Sequence, residues 1–271
     1  RQRPAEPLAQ RDPEKAGGNI IEFMNPSEIA VHGSTTALYV LSYPIVPTET
    51  IVPISVAYVG AENGAPQDIT VNIGLDNQAL IDQYNTENSK SYEFMPAAWY
   101  SIKSTSVVIP KGAKSASFNV GIRTSLFDLT KTFAVPVKIT SASHGIISTN
   151  FSRVLLAFGA KNPYDGLYRY QTSAITSLVP NADKTNVPLV TTGPNTVEPR
   201  PGLLATYSNQ VVYTIDPTTN AVTVTCPSLG VATPQDTRSK WDPATKTLKV
   251  FWKQGNGGRT FEETYTYTGV R

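Results

Sequence analysis

The chain has 271 residues, 40% of them hydrophobic and 16% charged, with a formal net charge of +2 and no long basic or acidic run. That balance excludes a disordered or coiled-coil chain and gives no electrostatic footprint for nucleic acid or an anionic membrane face. The single cysteine, Cys226, excludes an internal disulfide and a cysteine zinc cluster, and no run of 18 or more apolar residues is present to span a membrane.

Residues 1–18, "RQRPAEPLAQRDPEKAGG", are polar, charged and without a hydrophobic period, the composition of a flexible tether. From Asn19 short strands follow at sandwich-like spacing: "NIIEF", "EIAVHG", "TTALYVLSY", "TIVPISVAYVG" and "DITVNIGL". "DNQALIDQYNTEN" predicts a short helix capped by Asp76 or Asn77, with Leu80 and Tyr84 on one face, lying as a lid on the sandwich. In "SASFNVGIR" the residues Ala116, Phe118, Val120 and Ile122 alternate inward, and "TFAVPVKIT" repeats the pattern with Phe133, Val135, Val137 and Ile139. Val154 to Phe158 are apolar on both faces, as in a central buried strand. In "AKNPYDGLYRYQT" Pro163 breaks that strand and Asp165-Gly166 offers a turn, which makes a short, stiff junction between two domains.

Beyond the junction the strands are richer in Thr and Tyr. "YTIDPTTNAVTVT" and "SKWDPATKTLKVF" predict two hairpins of one meander, with Asp216 and Asp242 as turn residues that bond their own backbone. "VFWKQGNGGRTFEETYTYTG" predicts a third, its glycine-rich tip supplying positive φ. The proline-rich stretch from Leu178 to Gly202 reads as a wandering loop with one short strand at most. The expected fold is therefore all-β: a sandwich over 19–162 with one short helix, then a small antiparallel meander or barrel-like domain over 163–271.

Catalytic chemistry is hard to assemble from these residues. The two histidines, His32 and His144, accompany no Gly-x-Ser-x-Gly elbow. Glu262 and Glu263 are adjacent on one strand, so the pleat turns them to opposite faces and they cannot form a glycosidase pair. No alternating run of acidic and amide oxygens suggests calcium, and "GNGG" lacks the lysine and helix of a phosphate loop. No catalytic residue, metal ligand or cofactor site is assigned. What remains is aromatic. Large rings in small β domains are mostly core, as expected for Trp252 and the Tyr265/Tyr267 face, but a ring at a loop rim suits the CH-rich face of a sugar. Trp241, beside a turn, is the first candidate and Trp99 the second; Tyr164 and Tyr168 would stand at an interdomain cleft.

Residues Tyr92 to Pro96, Ile109 to Gly112 and Val137 to Ser141, within a stretch from about Asn19 to Gly166, resemble the N-terminal immunoglobulin-like domain of unknown function found in Bacteroidetes cell-surface lipoproteins. The C-terminal half resembles the small β domain with an Asp-Pro hairpin that ends many of them. The resemblance implies an immunoglobulin-like sandwich, export, an outer-membrane lipid anchor on a cysteine upstream, and a place in a polysaccharide-utilisation system beside other outer-membrane uptake proteins. Some relatives carry a glycoside hydrolase domain, but the roughly 105 residues after Gly166 are too few for a (β/α)₈ barrel of about 250 residues. The expectation is a non-catalytic, surface-exposed glycan-binding lipoprotein in which the sandwich serves as a spacer. The alternative is a structural or adhesion module recognising a protein partner through a strand edge, with a small glycan hydrolase third.

Overall fold

The computed structural model describes residues 19–24 and 35–271. The strand expected over "EIAVHG", with His32, and the tether over 1–18 lie outside the described residues. The chain divides into two compact units, one of residues 1–127 and 131–159, the other of 128–130 and 160–271.

The first unit is the expected sandwich. Its strands are β1 (Ile20–Phe23), β2 (Ala37–Pro44), β3 (Thr50–Val59), β4 (Ile69–Leu75), β5 (Glu93–Phe94), β6 (Tyr100–Ile102), β7 (Ser106–Ile109), β8 (Ser115–Ile122), β9 (Phe133–Ala142), β10 (Ile146–Ile147) and β11 (Arg153–Lys161), the last running on into the second unit. One sheet runs β10-β1-β3-β8-β6, the other β2-β11-β9-β4-β7, with β5 added beside β9. Phe118, Val120 and Ile122 of one sheet and Val135, Val137 and Ile139 of the other are buried in a common core, as the period-2 alternation requires. The helix α1 (Gln78–Asn88) is capped by the Asn77 side chain, which accepts from the Ala79 N–H at 3.1 Å. Its Leu80, Ile81 and Tyr84 cover Ala134, Leu155 and Ala157 on the far side of the second sheet. That cover explains why β11 is apolar on both faces.

The second unit is a meander of eight strands: β12 (Gly166–Thr172), β13 (Asp183–Gly193), β14 (Thr196–Pro199), β15 (Val212–Ile215), β16 (Val222–Thr225), β17 (Lys240–Asp242), β18 (Thr247–Lys253) and β19 (Thr260–Gly269). Each strand pairs with its sequence neighbour except β16 with β17, while the first, β12, pairs with the last, β19. At the remaining seam Trp241 N donates to Asn220 O at 2.9 Å and Val222 N to Ser239 O at 3.1 Å, so the sheet nearly closes into a barrel. Gln235 seals the seam further: its side chain accepts from Val224 N at 2.7 Å and donates to Val224 O at 2.9 Å, as a neighbouring strand would. An eight-stranded barrel has an interior just wide enough for side chains, and here these include Tyr168, Tyr170, Tyr213, Tyr265, Trp252 and Phe261, all buried.

The junction is tied into this barrel. Asn162 donates to the Gly193 and Thr196 carbonyls at 3.0 and 2.9 Å, and Asp165 accepts from Thr191 N and Oγ1 at 2.7 and 2.8 Å. Both residues therefore fasten the start of β12 to the β13–β14 hairpin. Gly166 is required by close approach: a Cβ there would meet the Tyr267 ring at 2.5 Å. The two Asp-Pro turns form as expected, Asp216 accepting from Thr218 and Thr219 N–H groups and Asp242 from Ala244 N and Thr245 Oγ1.

The stretch from Leu178 to Gly202 differs from its expectation, for it contains β13, eleven residues long, and β14. Val187 and Leu189 point into the core, and Pro188 falls beside a register shift where Asn186 adopts φ 57°. A proline beside a bulge is compatible with a sheet, so the prolines hid a strand from sequence reasoning.

Candidate functional site

The aromatic residues singled out from sequence are placed as follows. Trp241 points inward from β17, is 6% exposed and meets Tyr164 edge-on at 5.2 Å between centroids. Tyr168 is fully buried and donates to the Tyr164 carbonyl at 2.8 Å. Tyr164 and Tyr168 therefore take core positions in place of the cleft expected for them, and Trp241 packs into the same core while also lining a depression beside the β17 turn. Period-2 alternation accounts for it: Trp241 pairs with inward Leu248, and Tyr168 with inward Val187 and Tyr267. Trp99 lies in the first unit, half-buried, stacked on Phe127 at 5.6 Å and edge-on to Phe133 at 4.9 Å. The structure brings Tyr164, Tyr168 and Trp241 into one core and leaves Trp99 in the other unit.

The glutamate pair separates as the pleat dictates. Glu263 faces the barrel interior, where Trp252 Nε1 donates to it at 3.0 Å and Tyr170 Oη at 2.8 Å; Tyr213 Oη lies 3.2 Å away and Tyr265 Oη 3.4 Å. Burial pushes its carboxyl up in pKa, against the four donors that favour the carboxylate. Glu262 faces outward, and the outer wall around it is where a ligand finds room.

Four strands, β12, β19, β18 and β17, present that wall, and the ladder sets its rows. Phe251 stands opposite Glu262; Lys240, Lys249, Thr264 and Gln171 stand in register across the four strands; Asp242 and Thr247 begin the next row, followed by Thr266 and Arg169. Three depressions adjoin along it. The first, about 250 Å³, includes Gln235, Asp236, Arg238 and Lys253; the second, about 360 Å³, includes Gln171, Ser173 and Thr264; the third, about 540 Å³, includes Asn220, Lys240, Asp242 and Thr245. Phe251 and Glu262 line both the first and the second, and Lys249 both the second and the third. Four strands span on the order of 14 Å, so the surface is a track rather than a pit.

Where the first and second depressions meet lies a stacked pair. The Arg238 guanidinium lies 4.2 Å above the Phe251 ring and is held from the side by Asp236, with Nη2 at 2.7 Å and Nε at 3.1 Å from its oxygens. Glu262 stands 3.8 Å from Nη2. Nη1 is hydrogen-bonded to no described residue, so one edge of a fixed, planar donor group remains for a ligand. The Arg238 hydrogen bonds hold the Asp236 carboxyl below the usual carboxylate range, which suits charge pairing rather than proton donation. The described residues contain no group of three or more His, Cys, Asp or Glu placed to hold a metal ion.

Sequence reasoning missed Arg238, Phe251 and Glu262 as a set. A signal was present: on β18 Leu248, Val250 and Trp252 are inward, so Phe251 is the one aromatic on a polar face between Lys249 and Lys253.

Comparison with known proteins places both halves. Residues 166–269 match the domain of unknown function DUF7015. Residues 27–146 match a model described as an N-terminal domain. No curated protein matches the chain. Among solved structures, two proteins of unknown function from Bacteroides ovatus are similar over nearly their full length. One has 13% identity, coverage of 93% of this chain and 95% of that one, and a TM-score of 0.52; the other has 14% identity, coverage of 92% and 93%, and a TM-score of 0.50. An auxiliary nutrient binding protein from Bacteroides thetaiotaomicron aligns with 12% identity, coverage of 90% and 93%, and a TM-score of 0.46. At 13–14% identity the likeness to the two Bacteroides ovatus structures speaks to the fold alone.

Proposed function

We propose that this protein is a non-catalytic glycan-binding protein of the Bacteroidetes cell surface, a lipoprotein anchored in the outer membrane that serves polysaccharide acquisition. The observation that carries the reading is the track on the barrel wall: three adjoining depressions, the first two meeting at a guanidinium–phenyl stack, with the carboxylate of Glu262, the amide of Gln171 and the hydroxyls of Ser173 and Thr264 along it. A polyol chain offers donors and acceptors at short intervals along its length. A linear, polar track with an apolar floor meets those needs, whereas an enclosed apolar pocket would favour a compact ligand.

Affinity electrophoresis tests it. Wild-type protein should be retarded in gels containing at least one soluble polysaccharide from a panel of neutral and acidic polymers. Arg238→Ala should weaken that retardation roughly tenfold, about the effect of one charge-assisted hydrogen bond, with no change in folding. Retardation of the variant equal to wild type would remove the track from the reading, and retardation by no polymer would remove glycan binding. Release of reducing ends on incubation would overturn the non-catalytic assignment.

A further inference from the structure

We infer that Lys240 and Lys249 form a subsite for an anionic sugar substituent, a uronate carboxylate or a sulfate ester, so that the track takes an acidic polysaccharide. The inference rests on the glycan-binding reading and narrows its ligand. The two lysines are exposed and directly opposite in the β17–β18 ladder, which brings their Cβ atoms to about 5 Å and sets like charges face to face. They share the wall of the 540 Å³ depression with Asn220, Asp242, Thr245 and Thr247.

Three other lysines of this unit are engaged, while Lys253, on the first depression, stands alone on its row rather than opposite a second lysine. Lys161 donates to the Arg271 carbonyl, Lys184 to Ala205 and Thr206, and Lys246 lies over the Tyr267 ring. Lys240 and Lys249 form no ion pair within 4.0 Å among the described residues. The acid beside them is Asp242, whose oxygens accept from Ala244 N and Thr245 Oγ1 and so hold the turn. It acts on Lys249 through space without closing on it. Lysines also protect sheet edges from pairing, and that accounts for Lys240 on β17. It does not account for Lys249, which lies on β18 between two paired strands. Two adjacent ammonium groups over a depression that also holds an amide and two hydroxyls match a tetrahedral or trigonal anion on a polyhydroxylated ring.

Matched polymers test the inference on the full chain. Wild type, Lys240→Gln, Lys249→Gln and the double variant are run in affinity gels with polygalacturonate against fully methyl-esterified pectin, and with dextran sulfate against dextran. Lys90→Gln, an exposed lysine of the first unit, controls for net charge. At least one anionic member should retard wild type and Lys90→Gln, its neutral counterpart should not, and 0.5 M NaCl should abolish the difference. Each single variant should weaken retardation about tenfold and the double variant more. Because the substitutions relieve like-charge repulsion, the variants should melt no lower than wild type. The pair that responds identifies carboxylate or sulfate as the group. Equal retardation by a neutral member, or undiminished binding by the double variant, overturns the anionic subsite while glycan binding stands. If no anionic polymer binds but a neutral polysaccharide of the wider panel does, the inference likewise falls alone; if nothing binds, both fall.

Discussion

Replacing Glu263 by leucine should destabilise the barrel by about 2–6 kcal/mol. The leucine removes the acceptor for Trp252 Nε1 and Tyr170 Oη, donors on two buried side chains, and each orphaned donor costs about 1–3 kcal/mol. Tyr213 and Tyr265 retain each other at 3.0 Å and lose less. Hydrogen exchange of the full chain localises the effect: amides of 260–269 and of 247–253 should lose protection while those of 133–142 keep theirs. Unchanged protection on β18 and β19 would mean that the polar knot contributes nothing net.

The same carboxyl predicts a pH dependence. Its pKa in the fold is raised by burial, so between the ordinary glutamate value and the raised one the folded state holds a proton that the unfolded state has released. Stability contributed by that proton is complete below about pH 4.5 and declines as pH rises through the folded pKa. Asp183, Asp216, Asp236 and Asp242 of the same unit are shifted down. Their contribution is present above their ordinary value of 3.8 and lost as pH falls through the depressed one, in a separate, more acidic window. Glu263→Gln isolates the first effect: the stability of wild type relative to this variant should fall as pH rises from 4.5, and a flat difference would show the carboxyl to be unperturbed.

What sequence reasoning reached was local. The helix, the alternation in β8 and β9, the Asp-Pro turns and the opposed faces of Glu262 and Glu263 each depend on a few neighbouring residues, and each formed as expected. A barrel-like second domain was among the expectations, but its register was not legible, because Tyr170 finds Tyr265 across ninety-odd residues of chain and no local pattern states that pairing. The β13–β14 hairpin was obscured by prolines whose compatibility depends on a bulge. The candidate site was obscured for a related reason. Its members come from β12, β18, β19 and the loop carrying Arg238, and only a closed wall brings them together. Trp241 drew attention because it flanks a turn, yet in a narrow barrel the largest rings are the ones the interior needs.

Trp241→Ala is where those two uses of a ring separate most sharply, with an expected loss of about 3–5 kcal/mol for truncating a buried tryptophan. Its ring packs edge-on against Tyr164 and beside Leu248, and its backbone N–H closes the β16–β17 seam on Asn220. A void at this position undermines the one edge of the barrel held by few hydrogen bonds, so the seam should open first and the strands beside it should exchange fastest. Truncating a rim platform would instead leave stability within about 0.5 kcal/mol. Urea unfolding of wild type, Trp241→Ala and Trp241→Phe decides between these outcomes. The phenylalanine should recover more than half of the loss, because it refills most of the void and keeps an aromatic contact with Tyr164. If the alanine variant were as stable as wild type but failed to bind glycan, Trp241 would be a ligand platform after all, and the track over Phe251 and Arg238 would give way to a site built around the seam.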